Sequence, residues 1–223
     1  MAVTGNVNPE EVLKWGEKDL GRIPPGGGDE GLERPVGKSA KNEVAKDVEQ
    51  VHFCIGGDGC SIFDEELYTM GVLDGLLGGG MSSRLFQEIR EKRGLAYAVG
   101  SYTLSYSAGG AYTVYGGTSH ANWEEVQKLV RAEFDKMMSS PVDEDELERT
   151  KRNICGGIVL ALEGMSGRMM RMSKNELYHK REIPLDETIG KINAVTTAKV
   201  QELAQRVLSE ESVSTTAIGP FGD

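Results

Sequence analysis

The sequence has 223 residues and a formal net charge of −10. This length accommodates one large domain, or a domain with a smaller appendage, and can bury a hydrophobic core. The acidic excess argues against nucleic acid and anionic membranes as partners, because neither attracts a negatively charged surface. No apolar run approaches the roughly 20 residues that a membrane-spanning helix needs.

The three cysteines show no paired spacing, which favours reduced thiols and a cytoplasmic location. The opening residues, MAVTGNVNPEE, lack the basic segment and apolar stretch of a signal peptide. A targeting segment further upstream would overrule this expectation.

Residues 1–22 are predicted to hold one strand and one helix. Ala2–Thr4 is short and β-prone, and Asn8 is a suitable N-cap ahead of Pro9. Residues 23–44 are rich in proline and glycine and are predicted to form a linker. We interpret residues 1–22 as the end of a preceding domain.

Residues 45–223 are predicted to form the main domain. Apolar and polar residues alternate over 51–55, which predicts a strand that Gly56, Gly57 and Gly59 end in a turn. Further strands are predicted over Tyr97–Tyr106, Ala111–Tyr115 and Val213–Ile218. Helical periodicity occurs over 64–77, from Ser82 or Ser83 to Gly94, and over 123–137, 143–162 and 200–207. The pattern predicts an α+β fold with a mixed, mostly antiparallel sheet and helices packed on it.

The sequence contains no motif typical of a zinc site. Two histidines four residues apart on a helix, with a glutamate beside one of them, form the zinc motif of metalloproteases, and neither order of that motif occurs. His52, Cys54, Asp58 and Cys60 have potential ligand atoms, but their spacing matches no common zinc site. We therefore predict packing or surface roles for these side chains and no metal in this chain.

Three glycines, Gly78, Gly79 and Gly80, precede a predicted helix. Free N–H groups at a helix start can bind anions, which leaves a small-molecule site open as an alternative. No lysine and no strand accompany the run, so we favour a structural loop that lets two helices turn sharply.

Arg90 and Tyr97 are the candidate functional residues. Leu85, Phe86 and Ile89 are expected to point inward on the helix that Gly94 ends. Arg90 lies at the edge of that apolar face, and Tyr97 enters the next strand. The two side chains are therefore expected near one another at a helix–strand corner. A guanidinium and a phenol are both hydrogen-bond donors, which suits a peptide carbonyl or the oxyanion formed from it. The alternative is a surface arginine beside a half-buried tyrosine.

The segments LLGGGMSSRLFQEIREKRGLAYAVGSY, PVDEDELERTKRNICGG and VSTTAIGPF resemble the second half of zinc proteases of the mitochondrial-processing-peptidase and pitrilysin type. The resemblance implies a fold like one half of those proteins, also seen in the metalloenzyme LuxS. In that family two α+β halves close around a peptide. The first half holds zinc, and the second contributes an arginine and a tyrosine seven residues apart, which Arg90 and Tyr97 match.

The resemblance therefore implies the C-terminal half of such a protease, with Arg90 and Tyr97 binding substrate and transition state. Zinc would belong to the missing N-terminal half, so this chain would have no cofactor and would not hydrolyse peptides alone. Its partners would be that half and a peptide substrate. A non-catalytic scaffold or partner subunit is the alternative function. An isolated half is also expected to expose its partner surface and to form a homodimer.

Overall fold

A computed structural model describes residues 1–24, 26 and 31–221. Residues 25 and 27–30, in the predicted linker, and residues 222–223, at the end of the predicted main domain, lie outside the described residues. The strands are Lys41–Ala45 (β1), Val51–Gly59 (β2), Ala96–Ser105 (β3), Gly110–Thr118 (β4) and Val213–Gly219 (β5). The α-helices are Pro9–Leu20 (α1), Leu67–Leu77 (α2), Trp123–Ser139 (α3), Glu144–Ala161 (α4), Met165–Lys174 (α5), Leu185–Asn193 (α6) and Thr197–Val207 (α7). Two π-helices, Phe86–Glu91 and Asn175–His179, and a short 3₁₀ turn, His120–Asn122, complete the elements.

The five strands form one sheet in the order β1-β5-β2-β4-β3. β1 runs parallel to β5, and the other neighbouring pairs are antiparallel. β1 and β3 therefore form the two edges. This arrangement confirms the predicted α+β class with a mixed, mostly antiparallel sheet and packed helices.

The two faces of the sheet have different environments. On one face, alternate residues such as Phe53, Ile55 and Val114 are buried beneath the helices. The Phe53 ring lies 5.1 Å from that of Trp123, measured between centroids, which joins β2 to the start of α3. On the other face most of the intervening residues are exposed or half-buried, and Cys54 and Tyr115 are exposed. We call this second face the open face.

The sequence patterns located most helices within a few residues. Asn8 caps α1 by accepting a hydrogen bond from the Glu10 N–H at 3.0 Å. Asp143 caps α4 in the same way, by accepting from the N–H groups of Asp145 and Glu146. Short polar side chains ahead of an apolar stripe thus gave reliable helix starts. None of the described helices is long and apolar enough to cross a membrane.

Three local predictions were wrong. Ala2–Thr4 forms no strand, because no strand of the described chain lies beside it; Thr4 Oγ1 instead donates to the Met165 carbonyl at 2.9 Å. Gly56 and Gly57 form no turn, because β2 continues through them between β4 and β5 and ends only at Gly59. β1 was missed, because its five residues are all exposed and carry no alternating pattern. The sheet thus begins at Lys41, inside the range predicted as linker.

Candidate functional site

Arg90 lies on a π-helix rather than an α-helix. The Lys92 N–H donates to the carbonyl of Gln87, five residues earlier, at 3.0 Å. Leu85 and Ile89 are fully buried, as the helical pattern predicted, but Phe86 is only half-buried. π-helical turns are rare and occur frequently at functional sites. Phe86 and Arg90, four residues apart, lie together on the half-buried side of this turn.

Gly94 ends this helix and redirects the chain toward β3. Its φ of +62° is the left-handed conformation that glycine adopts without strain. The Gly94 N–H donates to the Arg90 carbonyl at 3.0 Å, and the Leu95 N–H donates to the Ile89 carbonyl at 2.9 Å. The bond from the Gly94 N–H to a carbonyl four residues earlier, with Gly94 in the left-handed conformation, is that of an αL cap. The cap fixes the short path between Arg90 and Tyr97.

Tyr97 occupies a β-bulge at the start of β3. Ala96 pairs with Thr118 and Ala98 with Gly117, so Tyr97 is an extra residue with no partner on β4. A bulge changes the direction of a side chain, and bulges are common beside active sites. The Tyr97 side chain is consequently 81% exposed.

The guanidinium of Arg90 lies between two aromatic rings. Its central carbon is 4.8 Å from the Phe86 ring centroid and 4.8 Å from the Tyr97 ring centroid. Both distances are within the range of a cation–π contact. The remaining ion pair is loose, because Arg90 Nε lies 3.7 Å from Glu91 Oε1. The structure thus brings Arg90 and Tyr97 together as predicted, with the guanidinium N–H groups and the phenol at the surface.

Ion pairs of Glu88 connect the π-helix to the two residues that follow it, Lys92 and Arg93. Glu88 accepts hydrogen bonds from the side chains of Lys92 and Arg93, and Arg93 also donates to the Glu88 carbonyl at 2.9 Å. The hydrogen bond from Lys92, followed by that from Arg93, lowers the pKa of Glu88 to about 2. These two cations are therefore engaged with Glu88, whereas Arg90 is directed toward the aromatic rings.

The glycine run joins α2 to β3 and to the π-helix. Gly78 is buried, and its carbonyl accepts a hydrogen bond from the Ser101 N–H at 3.1 Å. A Cβ at position 78 would lie 2.4 Å from Ser101 Oγ and 2.6 Å from Ser101 N, so only glycine fits. The Gly80 carbonyl accepts from both the N–H and the hydroxyl of Ser83. The loop therefore fills a close-packed structural position beside β3.

Two supporting groups were not identified from the sequence. Arg84 forms a bidentate pair with Glu146, at 2.9 and 2.7 Å, which ties the residues before the π-helix to the first turn of α4. Asp74 accepts from the Ser101 hydroxyl at 2.5 Å, and its burial raises the pKa of the carboxyl. In the sequence, Arg84, Glu146 and Asp74 are ordinary charged residues of predicted helical segments. No spacing rule connects partners that are 62 or 27 residues apart.

The potential zinc ligands do not converge. Among the described residues, no group of three or more His, Cys, Asp and Glu side chains could hold a metal ion. Asp58 accepts from the backbone N–H of Gly37, and Cys60 is buried in the core. Burial raises the pKa of the Cys60 thiol to about 11. These side chains have the packing and surface roles that the sequence predicted.

Known proteins resemble the chain in sequence and in structure. Residues 1–154 match the family described as the peptidase M16 inactive domain. An uncharacterised zinc protease of Bacillus subtilis (strain 168), YmxG, is 35% identical over 223 residues, which are 100% of this chain and 54% of that protein. A crystal structure of a peptidase M16 inactive domain from Pseudomonas fluorescens superposes with a TM-score of 0.87 and 20% identity, covering 98% of this chain and 52% of that one.

A second solved chain is similar in fold at lower sequence identity. A chain of complex III2 from Candida albicans superposes with a TM-score of 0.80 and 17% identity, covering 98% of this chain and 54% of that one. At this identity the match concerns the fold alone. The chain spans about half the length of YmxG and of both solved chains.

Proposed function

Because the chain belongs to the peptidase M16 inactive-domain family, we propose that it is the substrate-binding half of a two-half zinc peptidase. In this proposal Arg90 and Tyr97 contact the peptide beside the bond that is cleaved. The zinc ion would be held by the other half, which is also the main partner of this chain. The chain alone is expected to be inactive toward peptides.

The observation that carries the proposal is the position of the Arg90 guanidinium over the Tyr97 ring. The π-helix and the β-bulge are two backbone irregularities on either side of one short turn, and this contact lies between them. Irregular backbone usually costs stability, so its use at two adjacent places supports a functional role. The partly exposed guanidinium and exposed phenol leave their donors available to a ligand.

The chemistry suits a carbonyl that becomes an oxyanion. Guanidinium N–H groups and a phenolic O–H can donate to the substrate carbonyl, and their bonds strengthen as negative charge develops on its oxygen. A charged donor adds more than a neutral one, because charge-assisted hydrogen bonds are stronger. We therefore assign the larger contribution to Arg90 and orientation of the carbonyl to Tyr97.

Kinetics of the complete two-half protease test this assignment. Arg90→Ala should lower kcat/KM about a hundredfold or more, and Tyr97→Phe should lower it by a smaller factor. The zinc content should stay at the wild-type level in both variants. Arg93→Ala is the matched control, because Arg93 is a nearby arginine already bound to Glu88 and should have little effect. Unchanged kinetics in both Arg90 and Tyr97 variants would refute the role.

A non-catalytic scaffold is the second candidate function. It is favoured by the match to a family that is described as an inactive domain. The two functions differ in their partner: a peptidase half needs a zinc-bearing half with a His-x-x-Glu-His motif, in the same chain or a second one. Co-purification of this chain with a partner lacking that motif, together with no peptidase activity, would favour the scaffold.

Self-association of the isolated chain is a further proposal. α1 buries none of its residues, and Leu13 and Trp15 on it are more than half exposed. Exposed apolar side chains of this size commonly mark an interface. Sedimentation velocity should show a dimer that Trp15→Ser weakens. A monomer at every concentration would contradict the proposal.

A further inference from the structure

The open face of the sheet carries almost no charge. Among the outward positions of the five strands, Asp58 is the one Asp, Glu, Lys or Arg side chain. Its carboxylate is already engaged, because the Gly37 N–H donates to both of its oxygens at 3.1 and 2.9 Å. Charged residues make up 27% of the whole sequence, so their near absence here is specific to this face.

Two tyrosines form a platform near the edge of the open face. The rings of Tyr102 on β3 and Tyr115 on β4 lie 5.6 Å apart between centroids, at 48° to one another. Tyr115 lies opposite Gly100 in the register. A Cβ at Gly100 would stand 3.2 Å from the Tyr115 hydroxyl oxygen, so the ring extends across the space that a side chain would fill. Both rings remain about 40% exposed, at 40% and 43%.

The platform is continuous with the candidate site. Tyr97 and Tyr102 belong to the same edge strand, five residues apart. At roughly 3.3 Å per residue this separation is about 17 Å, which an extended peptide of about five residues spans. A peptide held at Tyr97 and lying along the open face would therefore place one of its side chains over the tyrosines.

The composition of the open face favours a transient peptide over a permanent protein interface. Its large apolar side chains besides the tyrosines are Val44, Leu104 and Ile218. The other outward positions are small or polar: Asn42, His52, Cys54, Asp58, Ala98, Ala111, and several Gly, Ser and Thr residues. The centres of permanent interfaces are more apolar than this. A neutral face also gives no electrostatic attraction to charged side chains, whereas aromatic pairs attract beyond their buried area.

We propose that the open face binds the substrate as an extended chain, and that Tyr102 and Tyr115 select an aromatic side chain about five residues from the cleaved bond. This inference rests on the proposed function, because that function places the cleaved bond at Arg90 and Tyr97. It goes further by giving the substrate class: peptides with neutral, aromatic residues at a defined distance.

The test uses the complete two-half protease and a set of fluorescent peptides made of Gly, Ala and Ser. A single Phe is moved one position at a time on both sides of the cleaved bond. Binding is measured by anisotropy with hydrolysis blocked by a chelator, and kcat/KM is measured without it. We expect binding to improve roughly two- to tenfold when Phe lies about five positions from the cleaved bond.

Substitutions separate the platform from the rest of the site. Tyr102→Ala with Tyr115→Ala should abolish the Phe preference, measured as the ratio of the affinities for peptides with and without Phe. Tyr102→Phe with Tyr115→Phe should keep the preference, and Leu160→Ala, an exposed residue of α4, should also keep it. Equal loss for all peptides, or no positional preference in the wild type, would overturn the platform.

Failure of the proposed function gives a different result. If Arg90→Ala and Tyr97→Phe leave hydrolysis unchanged, the role of the pair is refuted, whereas the Phe preference in binding still reports on the tyrosines. If the pair behaves as expected and the preference survives Tyr102→Ala with Tyr115→Ala, the platform alone is refuted.

Discussion

The central carbon of the Arg90 guanidinium lies 4.8 Å from the ring centroid of Tyr97 and the same distance from that of Phe86. The two rings hold a flexible cation at the surface. This arrangement limits the conformations of Arg90 before any ligand arrives, which lowers the entropic cost of binding.

Phe86→Ala should therefore impair the proposed peptidase although Phe86 touches no substrate in our proposal. A cation–π contact at an exposed site is worth about 0.5–1 kcal/mol, so kcat/KM should fall roughly two- to fivefold. The loss should appear mainly in kcat and should be restored by Phe86→Tyr, which keeps the ring. An equal reduction in Phe86→Tyr would contradict the assignment to the aromatic face, because tyrosine keeps that face.

Gly78→Ala should be destabilising because a methyl group there overlaps Ser101 on β3. Forcing extra atoms into a close-packed position costs about 1–3 kcal/mol, and we expect this reduction in the free energy of unfolding in urea. Gly80→Ala is the matched control, because nothing lies within 4 Å of a Cβ built at that glycine. Equal free energies of unfolding for the two variants would show that the loop shifts to accommodate the methyl group at little cost.

Asp74→Asn should stabilise the chain near pH 7. Burial raises the pKa of the Asp74 carboxyl above its ordinary 3.8, so the folded state retains the proton at pH values where the unfolded state has released it. Stability attributable to this group is thus greatest below pH 3.8 and is lost as the pH rises through the higher folded pKa. The gain in melting temperature should be larger at pH 7 than at about pH 3.5.

The amide oxygen introduced by Asp74→Asn would still accept the hydrogen bond that Ser101 Oγ now donates to Asp74 Oδ1. Asp74→Ala lacks this acceptor and should gain less. A gain from Asp74→Asn that does not change with pH would contradict the assignment to carboxyl burial.

Arg84 and Glu146 should be strongly coupled in a double-mutant cycle. Both side chains are about one-fifth exposed, and the pair is bidentate. Hydrogen bonds between charged groups contribute about 1.5–3 kcal/mol, and the coupling free energy between Arg84→Met and Glu146→Gln should approach that range. The Arg181–Glu187 pair has similar geometry in a more exposed place and should show weaker coupling. Equal coupling in the two pairs would refute the effect of burial.

The sequence predicted the helices best, because a cap followed by an apolar stripe is a local signal. Asn8 before α1 and Asp143 before α4 are examples. The edge strand β1 was missed because its residues are exposed on both faces of the sheet. Such a strand does not need alternating apolar and polar residues. The glycines of β2 were interpreted as a turn, although neighbouring strands hold them in an extended conformation through long-range hydrogen bonds.

The candidate site was predicted in part. The seven-residue spacing of Arg90 and Tyr97 across Gly94 indicated their proximity. The π-helix and the β-bulge that create the contact depend on tertiary packing and leave no local pattern. Phe86 was therefore expected to point inward with Leu85 and Ile89, whereas it stacks on Arg90. The Arg84–Glu146 pair joins positions 62 residues apart, which a single sequence cannot connect.

The two edges of the sheet, β1 and β3, lie far apart. The chain enters the sheet at β1, and Tyr97 lies on β3, four strand spacings away at the opposite edge. At about 4.8 Å per spacing, the lever between them is about 19 Å long. A rotation of the sheet by about 10° around β1 would therefore displace Tyr97 by about 3 Å, more than the ~1 Å misplacement that can abolish efficient catalysis. Small adjustments where the polypeptide joins this edge would thus be geometrically sufficient to move the Arg90–Tyr97 pair into or out of the position that our proposal requires.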